Sequence, residues 1–200
     1  MTSNDLSELW QRFETWLAAH APGDHTALSA GASAADIRRL EQDLEFPLHP
    51  DLRRLLSRHD GVAVQRASTE PGGFLLNYSL LDTAGILENQ LILAAMEQRA
   101  IDAGDGEAVS GVIAHHMWVP FAGSFSGDML FVDHRPGPHF GEIGETNFGA
   151  PAYSVLWPSQ EAMVRELCDG VESGSPVTAL HLVAFVHEER MLQWTVSERT

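Results

Sequence analysis

Two hydrophobic rhythms divide the chain. In the first, Leu6, Leu9, Trp10, Phe13, Trp16 and Leu17 recur at steps of three and four. That spacing puts them on one face of a helix, with Ser3 or Asn4 placed to cap it. Ile37, Leu40 and Leu44 repeat the step after Ser33 and Asp36, a pair spaced as a capping box. Leu52, Leu55 and Leu56 follow Pro50, which suits a first helical turn, and Gly61 is expected to end that helix in a left-handed conformation. Asp82-Thr83 is expected to cap a longer helix running to about Ala103, with Ile86, Leu87, Leu91, Ile92, Ala95 and Met96. Helix-forming sequence returns from Pro158 to Val171.

The second rhythm is that of strands. Phe74 to Leu76 reads as a short one. Trp118, Val119 and Phe121 form an aromatic and β-branched run, with Pro120 suggesting a strand edge or end. Met129 to Val132 is continuously apolar, as in a strand covered on both faces. Gly123 to Gly127 and Asp133 to Gly141 are turns, and Phe140, Ile143 and Phe148 mark a third strand and its exit. Val112 to His116 is expected to begin the strand that holds Trp118. Alternation from Leu180 to Val196, broken by Glu188-Glu189-Arg190, predicts a hairpin. Ala21 to Ala32 and Gly104 to Gly111 read as loops.

Charge narrows the choice of partner. Twelve basic residues, all arginine, stand against 28 acids for a net charge of −16. Asp82, Glu88, Glu97, Asp102, Asp105 and Glu107 face Arg99 alone within one segment. Such a field repels nucleic acid, whose binding depends on cations at phosphates, and attracts a basic protein. No apolar window reaches the ~18 residues of a membrane span, and Met1 to Leu9 lacks a secretory pattern, so a cytoplasmic protein is expected. Cys168, the one cysteine, has no disulfide partner and reads as a small buried residue.

Motifs for chemistry fail one by one. Gly123-Ser124-Phe125-Ser126-Gly127 puts phenylalanine where a hydrolase elbow needs serine. Without lysine there is no phosphate-binding P-loop. His115, His116, Asp128, Asp133, His134, His139 and Glu142 crowd one region and define a metal-dependent enzyme as the alternative reading, but their spacing matches no helix-borne ligand pair. Asp128 and Asp133 flank one strand at roughly 16 Å, too far for a catalytic pair. Asp128 is expected to cap its turn by accepting backbone N–H groups. Asn77-Tyr78-Ser79 matches a glycosylation acceptor.

One constellation resembles a known family. Trp118-x-Pro120-Phe121-Ala122, then Gly127-Asp128 before Leu130-Phe131-Val132-Asp133, Pro136-Gly137 and Gly141-Glu142-Ile143-Gly144 is similar to the core motif of the SUKH superfamily. That superfamily is named for yeast cell-wall-assembly regulators and bacterial toxin-immunity proteins. Leu48-x-Pro50-x-Leu52 ending at Asp60-Gly61, Ser154 to Ser159, and Leu192-Gln193-Trp194 extend the likeness over residues 30–196. Pro47 ahead of Leu48 departs from the family's Gly-Leu-Pro order. The resemblance implies an α+β domain whose mixed, mostly antiparallel sheet is covered on one face by helices; the apolar stripe read above sets an N-terminal amphipathic helix at residues 1–22 ahead of it. The family gives no catalytic residue to carry over, and the motifs above support no cofactor or metal; what the resemblance implies is a protein partner: a basic, nuclease-like toxin to be occluded, or the target of a regulatory scaffold. The expected partner face comprises the six acids above with Trp118, which is expected to border a groove, and the turn residues Ser124, Ser126, Asp128, Asp133, Glu142 and Glu145.

Overall fold

The computed structural model describes residues 6–63, 70–147, 154–177 and 180–197. Ser3, Asn4 and Phe148 lie outside them. The chain opens with α1 (Leu6–His20), α2 (Pro22–Ala27), α3 (Ala34–Leu44) and α4 (Pro50–Arg58). The spacing of apolar residues decides which face of each is buried: Leu9, Trp10, Phe13 and Leu17 of α1, Ile37, Leu40 and Leu44 of α3, and Leu52, Leu55 and Leu56 of α4. Ser33 caps α3, its Oγ accepting the Asp36 N–H at 3.2 Å. α2 occupies a stretch expected to be a loop; Pro22 starts it because a first-turn residue needs no N–H partner. Gly61 does adopt φ +75°, but three residues beyond the end of α4.

Five strands follow in an antiparallel sheet of order β1-β2-β3-β4-β5: β1 (Tyr78–Leu80), β2 (Trp118–Ser124), β3 (Met129–Asp133), β4 (Ile143–Thr146) and β5 (Ser154–Trp157). The fold is α+β, and every pairing is antiparallel. Pro120 pairs with Phe131 of β3 but lies beyond the part of β2 that β1 covers, which is Ala122 to Ser124, so its other side is an edge. The missing N–H of Pro120 falls on that uncovered side, and the register shift that follows leaves Phe121 as the bulged residue. Gly144 faces Phe131 across the strands so closely that a Cβ there would lie 2.4 Å from the ring.

Alternation along β3 sends Leu130 and Val132 into the main core, built with α1, α3, α4 and α7 (Gln160–Ser173), while Met129 and Phe131 point the other way. There α5 (Thr83–Ala103) adds a second layer, packing Leu93 and Met96 against Trp118 and Phe131. Asp82 caps α5 by accepting the Gly85 N–H at 2.7 Å, and Gly104 ends it at φ +85°. α6 (Gly106–Val109) and the turns from Gly111 to Met117 replace the loop and the early strand start expected there.

Phe74 to Leu76 is a tight turn rather than a strand. Leu76 and Asn77 both take positive φ, 58° and 67°, and Leu75 and Tyr78 exchange backbone hydrogen bonds across the turn. The apolar run is explained by burial of all three side chains. The C-terminal hairpin, β6 (Leu182–His187) and β7 (Met191–Val196), forms its own two-stranded sheet. Side chains moor it to the domain. Asn77 Oδ1 accepts the Trp194 N–H while its Nδ2 donates to the Trp194 carbonyl. Trp194 Nε1 donates to the Phe74 carbonyl at 2.8 Å, and buried Asp24 accepts the Leu192 N–H. The Asn77 amide of the glycosylation-like triplet is thus engaged in the fold.

Candidate functional site

Three residues expected on the partner face lie inside the protein. Trp118 is sealed at 0% exposure and does not border a groove. Its ring stacks on Phe131 at 4.3 Å, and its Nε1 donates to Asp133 Oδ2 at 3.2 Å. Asp133, also 0% exposed, pairs with Arg135 at 2.6 Å, whose guanidinium lies 5.6 Å over the Trp118 ring. Arg135, absent from the expected set, completes this buried unit; its i+2 position relative to Asp133 was the available signal. Glu97 turns inward from α5, accepting the His116 N–H at 2.6 Å and the Ser110 hydroxyl. Burial pushes its pKa up, but those bonds outweigh it and hold the carboxyl below its ordinary range.

The histidine-rich region supplies braces. Donor atoms of Glu97, His115 and His116 lie within 4.8 Å of one another. The two imidazoles stack at 4.5 Å and 23°, however, so their in-plane lone pairs run side by side instead of converging as tetrahedral coordination demands. His115 Nδ1 already accepts the Met117 N–H at 2.9 Å, which leaves the neutral ring's proton on Nε2. The remaining ring nitrogens and carboxylates disperse: His139 pairs with Glu142 at 2.8 Å in the β3–β4 turn, and Asp128 belongs to the opposite end of the sheet.

His134 is a buried strut. Its Nε2 accepts the His49 N–H at 2.8 Å, and its Nδ1 donates to the Val132 carbonyl at 2.9 Å. Burial lowers its pKa from 6.5 to about 4. Between those values the unfolded chain takes up a proton that the folded one refuses, so stability is full above pH 6.5 and declines as pH falls towards 4. Urea titrations at pH 7 and 4.5 should show that His134→Gln, which has no proton to gain, shrinks the loss of stability between the two by roughly 2 kcal/mol.

The residues that reach solvent form two groups. At one end of the sheet, the β2–β3 turn carries a closed polar network. Ser126 Oγ donates to Asp128 Oδ2 at 2.7 Å and lies 2.9 Å from Ser124 Oγ, which accepts the Asp128 N–H at 3.0 Å. Asp128 thus takes a hydroxyl, not the expected backbone N–H groups. The network fixes the turn so that Phe125 projects at 69% exposure. Beside it an open groove of about 250 Å³ runs between Phe125, Ser124, Ser79 and Asp82. Glu145 lies at the same end, accepting the Tyr78 hydroxyl, and holds the Tyr78 pKa well above its ordinary value together with burial, the larger cause. Asp102, Asp105 and Glu107 form the second group at the far end of α5, roughly 30 Å from its start. Glu88 is exposed between them. Phe125 escaped the sequence reading because a lone apolar residue in a glycine-serine turn carries no periodicity.

An α+β domain with a glycine-bounded meander, a tryptophan sealed against an acid–arginine pair, and charged turns defines the class. The chain belongs to the SMI1 / KNR4 family (SUKH-1), whose model matches residues 31–166. It is 27% identical to KNR4/SMI1 homolog 2 of Debaryomyces hansenii, over 69% of this chain and 30% of that protein. It is 32% identical to the cell wall biosynthesis/cell cycle regulator smi1 of Schizosaccharomyces pombe, over 66% of this chain and 29% of that one. A glucan synthesis regulatory protein of Neurospora crassa is 25% identical, over 69% and 33%. The chain therefore spans about a third of the length of these three relatives. No described helix is long and apolar enough to cross a membrane.

Proposed function

We propose that the chain is a non-catalytic recognition domain that docks a basic protein through the β2–β3 end of its sheet. The observation that carries this reading is Phe125, held out at 69% exposure by a saturated serine–aspartate turn and flanked by carboxylates. A rigid aromatic anchor with a charged rim is the anatomy of an interface hot spot. The interior polar groups of the motif are committed to one another, so they serve as platform. Relatives named as regulators agree with recognition rather than catalysis. With −16 of net charge, the partner recognised is basic, and steering by the acidic end raises its on-rate. A toxin whose basic cleft is occluded is one such partner; the target of a regulatory scaffold is the other.

A photo-crosslinking amino acid placed at position 125 should join covalently to one basic protein in the source cell. Binding of that protein to the Phe125→Ser variant should weaken at least tenfold, about 1.4 kcal/mol, with melting temperature unchanged. An acidic adduct, or equal affinity of the variant, would overturn the reading. A toxin encoded beside this gene as the adduct selects occlusion, and any other basic protein selects the scaffold role.

A further inference from the structure

We propose that the solvent face of α5 packs antiparallel against the same face of a second copy of this chain, Glu88 pairing with Arg99 of the partner subunit. This goes beyond the docking reading and assigns Glu88 to self-association instead of to the basic partner.

The helix has two apolar sides. Ile86, Gln90, Leu93 and Glu97 are buried against the domain. On the opposite side, Ala84, Glu88, Leu91, Ala95, Gln98 and Asp102 follow one another at steps of four and three, the spacing of a helix–helix seam. Leu91 is 54% exposed and Ile92 45%, although both sit mid-helix. A surface helix ordinarily turns charged residues outward at such positions.

Charge selects the occupant. Glu88 and Arg99 are exposed, and neither has a hydrogen-bond or ion-pair partner among the described residues. They stand 11 positions apart (99 − 88), close to three turns, so they share one side of the helix roughly 16 Å apart. Their midpoint falls between Leu93 and Ala94. A two-fold axis there brings Glu88 of each copy to Arg99 of the partner subunit at both ends, with Leu91, Ile92 and Ala95 between them. That arrangement is the reciprocal contact an isologous dimer requires. Asp102 then lies opposite Gly85 of the partner subunit (187 − 102). Alanines at 84 and 95 allow the axes to approach to about 8–10 Å. A basic partner would instead meet Arg99 within the same face. Two helices crossing over three turns bury less than a standard interface, so a weak dimer is expected.

Sedimentation equilibrium over about 5–200 µM chain should show mass rising from one copy to two. Leu91→Asp should abolish the rise, with the far-UV circular dichroism spectrum unchanged. Glu88→Arg alone and Arg99→Glu alone should each weaken association at least fivefold, and the double swap should restore it. A single-copy mass throughout, a dimer that survives Leu91→Asp, or a double swap no tighter than either single change would overturn the proposal. The Phe125→Ser variant should dimerise normally, so failure here and failure of the docking reading are separable.

Discussion

Trp118→Ala should destabilise the domain by about 3–5 kcal/mol, the range for losing a large buried aromatic and leaving a cavity. Three losses coincide. Phe131 loses the ring stacked on it at 4.3 Å, and Arg135 loses the face 5.6 Å beneath its guanidinium. Asp133, wholly buried, loses one of its N–H donors. Trp118→Phe keeps most of the packing and removes only the Nε1 hydrogen bond, so it should cost nearer 1–2 kcal/mol. Chemical denaturation of both variants checks this. Had Trp118 instead been a partner contact on the surface, both variants would unfold like the parent. Because whole domains are stable by only about 5–15 kcal/mol, the alanine variant should lie near the limit of folding.

Asp24→Ala should cost about 3–4 kcal/mol, although this residue lies in a stretch that reads as loop. Asp24 is 1% exposed, and its two oxygens accept the Gly72 N–H at 2.6 Å and the Leu192 N–H at 2.5 Å. Burial keeps its pKa above the ordinary carboxyl value despite those bonds. Removing the carboxylate strands two buried donors, each costing about 1–3 kcal/mol. One of them belongs to β7, so amide exchange should accelerate first in the C-terminal hairpin. Asp24→Asn, which keeps one acceptor and turns an NH2 towards the other donor, should fall between alanine and the parent. Equal protection of the hairpin amides in parent and Asp24→Ala would refute the mooring role.

Local rules made much of the fold legible. The helix faces of α1, α3 and α4, the Asp82 cap, the run of β2 and β3 and the C-terminal hairpin follow from steps of three, four and two. The departures have tertiary causes. α2 forms in a stretch that reads as loop, and the Phe74–Leu76 run bends because a turn buries all three side chains. For the site, sequence named candidate residues but could not give their depth. Glu97, Trp118 and Asp133 resemble their exposed neighbours in composition, and only the packing of α5 on the sheet buries them. Adjacent histidines suggested coordination, while the turn holding them stacked their rings.

In the proposed docking role, exposed carboxylates at the β2–β3 end provide the complementarity to a basic partner. Its most direct test is the salt dependence of affinity for the crosslinked partner, comparing the parent with an Asp82→Asn/Asp128→Asn double variant. These amides preserve shape, since asparagine still caps α5 and still accepts the Ser126 hydroxyl, and they remove only charge. The parent's dissociation constant should rise steeply with ionic strength, and the variant should bind more weakly at low salt with a flatter slope. Identical curves for the two proteins would contradict the claim.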